Sequence, residues 1–154
     1  MTYRRGYHAA LMAAAILLGA PSYCRAAGCI ASATPIAFGT YQPLHPADAV
    51  AVSTITYTCT AVKGRVRIGL SRGESGTFAR RVMHLGNKRL EYNLYLDPTG
   101  VSIWGDGSGG SQVYITSNPP NGAPVNLTVY GRIEARQDAP AGMYRDNVFV
   151  VIDP

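Results

Sequence analysis

Few side chains in this sequence have types and spacings that could do chemistry. The run Gly105-Asp106-Gly107-Ser108-Gly109-Gly110 places a hydroxyl among glycines, as a serine hydrolase loop does, but an extra glycine parts the acid from the serine. A serine nucleophile also needs a histidine base held in place by an acid. His84 lies in Arg81-Val82-Met83-His84-Leu85, which reads as a strand with the imidazole facing outward. Asp97 and Asp106 with Glu91 could be drawn as a carboxylate pair, yet only strand ends group them, and turn carboxylates are usually solvated. His45, His84 and two distant cysteines do not make a zinc site of usual spacing. The expectation is a chain that is not an enzyme, with no catalytic residues, no metal ligands and no cofactor.

Cysteine chemistry is the exception. Residues 1–26 have a basic start at Arg4 and Arg5, an apolar stretch over 9–20 and small residues at Cys24 and Ala26, the layout of a secretory signal with cleavage after Ala26. The apolar stretch is about a dozen residues, short of the roughly 20 that span a bilayer. Losing the leader removes Cys24 and leaves Cys29 and Cys59, an even pair in an oxidising compartment, expected to form a disulfide. The leader also takes Arg4, Arg5 and Arg25 and no acid, so most of the formal charge of +5 goes with it. A nucleic-acid partner is therefore not expected, and neither is a transmembrane segment after cleavage. The remaining basic residues, including Arg72, Arg80, Arg81, Lys88 and Arg89, sit near turns and read as solvated.

The elements that must position these residues read as strands. Val66, Ile68 and Leu70 share one face of their segment, and Leu90, Tyr92, Leu94 and Leu96 one face of theirs. Further strands are expected over 36–41, 49–60 (Ile55, Tyr57 and Cys59 on one side), 112–116, 125–136 and 144–152. Turn chemistry separates them at Asp97-Pro98-Thr99-Gly100, Asn118-Pro119-Pro120-Asn121-Gly122 and Ala139-Pro140-Ala141-Gly142. Seventeen Gly and ten Pro spread along 154 residues fit short strands and tight turns better than helices. The fold class expected is all-β: one domain over 27–154, an immunoglobulin-like two-sheet sandwich.

Nine short strings occur in order: Cys29; Phe38-Gly39-Thr40-Tyr41; Ile55-Thr56-Tyr57-Thr58-Cys59; Ile68-Gly69-Leu70-Ser71-Arg72-Gly73; Arg81-Val82-Met83; Leu90-Glu91-Tyr92-Asn93-Leu94-Tyr95-Leu96-Asp97; Trp104-Gly105-Asp106-Gly107; Val129-Tyr130-Gly131-Arg132-Ile133; and Gly142-Met143-Tyr144-Arg145-Asp146-Asn147-Val148. Together they resemble the spore coat U domain family, secreted pilin-like proteins that include subunits of archaic, Csu-type chaperone-usher pili. The resemblance spans nearly all of the chain after the leader.

It implies a non-enzymatic structural subunit of a cell-surface pilus or coat, with a role in adhesion or biofilm formation. Its sandwich would lack the last strand and accept one by β-strand addition. The implied partners are a periplasmic chaperone, an outer-membrane usher and a neighbouring pilin-like subunit. The implied route runs from the periplasm to the cell surface of a Gram-negative bacterium. The acceptor edge would be Tyr144, Val148, Phe149, Val150, Val151 and Ile152, apolar on both faces, with only Asp153 and Pro154 after it. Family pilins donate an alternating apolar extension that precedes their first cysteine. Here Ala27-Gly28 precedes Cys29, so this subunit is expected to accept a strand without donating one. The competing reading is a self-sufficient secreted binding module whose residues 27–35 fold back to fill the groove.

Overall fold

Alternation decides which segments become strands and which faces meet. In β2 (Ala49–Thr60), Ile55, Tyr57 and Cys59 are buried while the residues between them stay half-exposed, leaving one apolar face to be covered. The same pattern shapes β3 (Arg65–Leu70), where Val66, Ile68 and Leu70 point inward, and β5 (Lys88–Tyr95), where Leu90, Tyr92 and Leu94 do. The computed structural model describes residues 27–154; the predicted leader lies outside the described residues.

The remaining strands are β1 (Gly28–Ala33), β4 (Arg81–Leu85), β6 (Tyr114–Ser117), β7 (Pro124–Ile133) and β8 (Val150–Asp153). They form two antiparallel sheets, one ordered β1-β2-β7-β5-β4 and the other β6-β3-β8. The inner faces enclose Ile55, Tyr57, Val66, Ile68, Leu90, Leu94, Trp104, Val129 and Ile133. This is the immunoglobulin-like, all-β sandwich that the sequence leads one to expect. The indole of Trp104 is fully buried and donates to the Ile68 carbonyl at 2.9 Å, tying the loop after β5 to the second sheet. Among the described residues no helix is long and apolar enough to cross a membrane.

Cys29 and Cys59 are disulfide-bonded, as the count of cysteines implies, and stand directly opposite each other in the β1–β2 register.

Three expectations are corrected. Residues 36–41 are not a strand. Pro35 has no N–H to continue the ladder beside Thr34, and Gly39 turns the chain at φ +70°. The segment lies across the inner face of β7, where Gly131 makes room: a Cβ there would meet Ile36 and Phe38 at 2.5–2.9 Å. Of residues 144–152, only those from Val150 onward join a ladder, because the earlier ones cross between the two sheets. Arg81 is not solvated; it is 0% exposed.

Reducing the disulfide should lower the unfolding free energy by about 3.5–4 kcal/mol, the chain-entropy value for a loop closed at a sequence separation of 30. Urea denaturation with and without dithiothreitol, and of Cys59→Ser, checks this; a change under about 1 kcal/mol would contradict it.

Candidate functional site

The hydroxyl and imidazole that could have done chemistry are not brought together. Ser108 belongs to a turn that Asp106 caps, its N–H donating to Asp106 Oδ1 at 2.8 Å. Hydrogen bonding by the Ser108 side chain first, and by that N–H next, holds the Asp106 carboxyl below its usual range. His84 sits on β4, where its N–H donates to the Arg145 carbonyl at 2.7 Å and its own carbonyl accepts from Arg145 N–H at 3.0 Å. Among the described residues no hydrogen bond joins His84 to Ser108. The three acids separate likewise. Glu91 pairs with Arg80 at 3.2 Å, and Asp97 closes its own loop, accepting from the N–H groups of Thr99 and Ser102. Among the described residues no group of three His, Cys, Asp or Glu is placed to hold a metal ion.

What the fold does create is an open strand edge beside a cleft. The chain from Gly142 to Asp153 starts against β4, through the Arg145–His84 bridge, and ends as β8 against β3. Phe149 exchanges with Ser71: the Ser71 N–H donates to the Phe149 carbonyl at 2.9 Å, and the Phe149 N–H to Ser71 Oγ at 2.9 Å. Bonding direction alternates along an antiparallel strand. Val151 and Asp153 therefore also face β3, while Val148, Val150 and Ile152 turn their N–H and C=O groups the other way. On that side β8 pairs with no strand among the described residues.

Opposite this edge stand the end of β1 and the residues that follow it. Ala33–Ile36 form one wall of a cleft of about 460 Å³, residues 146–150 form the other, and Ile55, Leu70, Tyr92, Leu94 and Val129 line it between them. A second depression of about 780 Å³ shares Pro35 and Ile36, and runs on between Phe38 and Tyr41 on one side and residues 142–145 on the other. β1 borders this trough through Ala33 and lies close to β8, although all six of its residues also pair with β2.

Each predicted edge residue has a distinct place. Val148, Val150 and Ile152 pack against the core from the trough side. Phe149 and Val151 point outward, 70% and 56% exposed, so among the described residues the second face of this strand is bare. Tyr144 lies nearer β4, its hydroxyl donating to the Pro140 carbonyl at 3.0 Å.

The residues that hold this edge in position went unread in the sequence. The Arg81 guanidinium donates to the carbonyls of Ser71 (2.8 and 3.0 Å) and Trp104 (2.7 Å) and to Asn93 Oδ1 (2.7 Å). Burial pulls its pKa below the usual value, and these acceptors stand in for water. It thereby fixes Ser71, the residue on which Phe149 is hung. Asp146 fixes the near end, its carboxylate accepting from the Tyr92 hydroxyl at 2.7 Å and the Glu74 N–H at 2.9 Å. Burial, then the neighbouring Asp146, pushes the Tyr92 phenol well above its ordinary range, so it remains a neutral donor. The signal for Asp146 lay in Tyr144-Arg145-Asp146; nothing local marks Arg81.

The class so defined is an immunoglobulin-like sandwich with one sheet edge and an apolar trough left open along its last strand. A family model for the Spore Coat Protein U domain matches residues 20–151. The chain belongs to that family. It is 30% identical over 127 residues to Protein U of Myxococcus xanthus, a match covering 75% of this chain and 69% of that protein. The fold is also similar to a chain in the crystal structure of the CsuC-CsuE chaperone-tip adhesion subunit pre-assembly complex from archaic chaperone-usher Csu pili of Acinetobacter baumannii. There the TM-score is 0.59 at 21% identity, and the match covers 83% of this chain but only 40% of the other.

Two outcomes follow from the contacts. Arg81→Ala leaves the Ser71 and Trp104 carbonyls and Asn93 without their donor, and should cost about 3 kcal/mol or more in urea unfolding; a loss below about 1 kcal/mol would refute the role given to Arg81. For Asp97, the Thr99 hydroxyl first and the loop N–H groups next hold the folded carboxyl well below its usual range. A lowered folded pKa contributes stability above the unfolded value of about 4, lost as pH falls through the folded one. Native protein should therefore lose its stability advantage over Asp97→Asn as pH drops below about 4, read from denaturation midpoints; a pH-independent difference would contradict this.

Proposed function

We propose that this protein is a structural subunit of a chaperone-usher type assembly on the cell surface, and that its function is to accept a strand from another polypeptide along β8. The observation that carries the reading is the conjunction at one edge. Among the described residues the outward main-chain groups of Val148, Val150 and Ile152 pair with no strand, and an apolar trough runs beside them between Ala33–Ile36 and residues 142–150. An extended peptide laid there would gain ladder hydrogen bonds from the edge and bury alternate side chains in the trough. Left bare, such an edge invites unwanted pairing. The geometry and the family thus both support a need for a partner.

During transit the partner would be a periplasmic chaperone, and in the finished assembly a neighbouring subunit delivered by an outer-membrane usher. Adhesion or biofilm formation would be the output of the assembly, and its location the outside of the cell. The relation to a chaperone-bound subunit in the Csu system supports the first of these partners. The reading includes no catalytic step. The alternative of a self-complemented module, with residues 27–35 filling the groove, has the weaker support, since β1 is committed to β2 and bound there by the Cys29–Cys59 disulfide.

Expression of the exported chain alone and together with its chaperone, followed by size-exclusion chromatography, tests the proposal. The expected result is aggregation or loss when alone, and a soluble one-to-one complex when co-expressed. A stable, soluble monomer obtained without any partner would overturn it.

A further inference from the structure

The outer face of β8 narrows what kind of strand the edge takes. Phe149 and Val151 are 70% and 56% exposed on the side away from the core. In a sheet, such side chains are normally covered by cross-strand neighbours on the same face. Their partners on β3 cannot do this. Val151 stands opposite Gly69, which has no side chain and no room for one, since a Cβ would meet the Gly105 carbonyl oxygen at 2.9 Å. Phe149 stands opposite Ser71, whose hydroxyl is already turned to the Phe149 N–H. Among the described residues neither neighbour across the ladder covers this pair, and a strand added on the open side would.

We infer that the strand accepted by β8 is apolar on both faces: besides the side chains it sinks into the trough, it carries β-branched or aromatic residues outward, beside Phe149 and Val151. This rests on the strand-acceptor reading above and adds the chemistry of the donor to it. The outward pair makes a surface continuous with the acceptor edge, one that a strand with serine or lysine on its outer face leaves exposed. Charge sets a second limit. Asp146 is the charged residue lining the cleft, so the donor carries no acid at that end. The occupant is thus a doubly apolar extended segment of another polypeptide, unlike an ordinary amphipathic strand.

The test uses two nine-residue peptides with lysines at both ends and valine at every inward position. They differ at two central outward positions, valine in one and serine in the other. The disulfide-bonded chain is diluted from urea into each labelled peptide, so that it folds with a strand present, and binding is read by fluorescence anisotropy. The valine peptide should bind about five- to tenfold more tightly, the gain of two cross-strand apolar pairs. The double variant Phe149→Ser, Val151→Ser should erase that difference; both sites are exposed, and circular dichroism confirms that the variant is folded. Equal affinities for the native chain, or a preference that survives in the variant, would overturn the inference while leaving strand acceptance standing. If a folded chain binds neither peptide, strand acceptance itself fails and this inference falls with it.

Discussion

One stretch of chain belongs to both sheets and completes neither. Residues 142–153 begin hydrogen-bonded to β4, at the edge of the five-stranded sheet, and finish as β8, at the edge of the three-stranded one. To span the two, the stretch crosses the mouth of the sandwich, and its unladdered portion is what keeps the trough open. Two fixed points hold the crossing. Asp146 is anchored on Tyr92 of β5, and Phe149 is anchored on Ser71, which Arg81 holds from beneath. The Asp146–Tyr92 contact and the Arg81 bonds beneath Ser71 are buried or part-buried, where a missing partner is expensive. Such contacts specify position more sharply than apolar packing, which tolerates small slips.

Much of this was legible in the sequence. The inward faces of β2, β3, β5 and β7 follow from period-two alternation, because a half-buried strand must sort its residues that way. The Cys29–Cys59 pairing follows from counting thiols in an exported chain. The edge residues Val148, Val150 and Ile152 lie in a run that is apolar on both faces, and their proposed role came from the family resemblance and not from alternation.

The failures share a cause: each depends on what lies opposite in space. Residues 36–41 carry a strand-like pattern, but strand formation needs a neighbour with free N–H and C=O groups in register. Pro35 and Gly39 prevent that, while Gly131 offers a surface to lie on instead. Arg81 looks like any surface arginine by sequence, and only the convergence of two carbonyls and an amide oxygen, from residues up to 23 positions away from it in the chain, makes its burial tolerable. The apolar character of Phe149 and Val151 was visible, whereas their bareness was not. It depends on Gly69 and Ser71 being the residues across the ladder.

The two walls of the trough differ in how far their ladders run. Along Ala33–Ile36 the first strand ends: Ala33 still pairs with Ile55 and the Thr34 N–H donates to the Thr54 carbonyl, but Pro35 has no N–H and the ladder stops there. Beyond it Ile36 turns onto Gly131 of β7. The β8 wall offers both outward main-chain groups and the apolar side chains of Val148, Val150 and Ile152. An incoming strand running along Val148–Ile152 would take its register from β8, because past Pro35 the facing wall has left its own ladder. The proline that ends one strand thus stands beside the stretch where the other remains open.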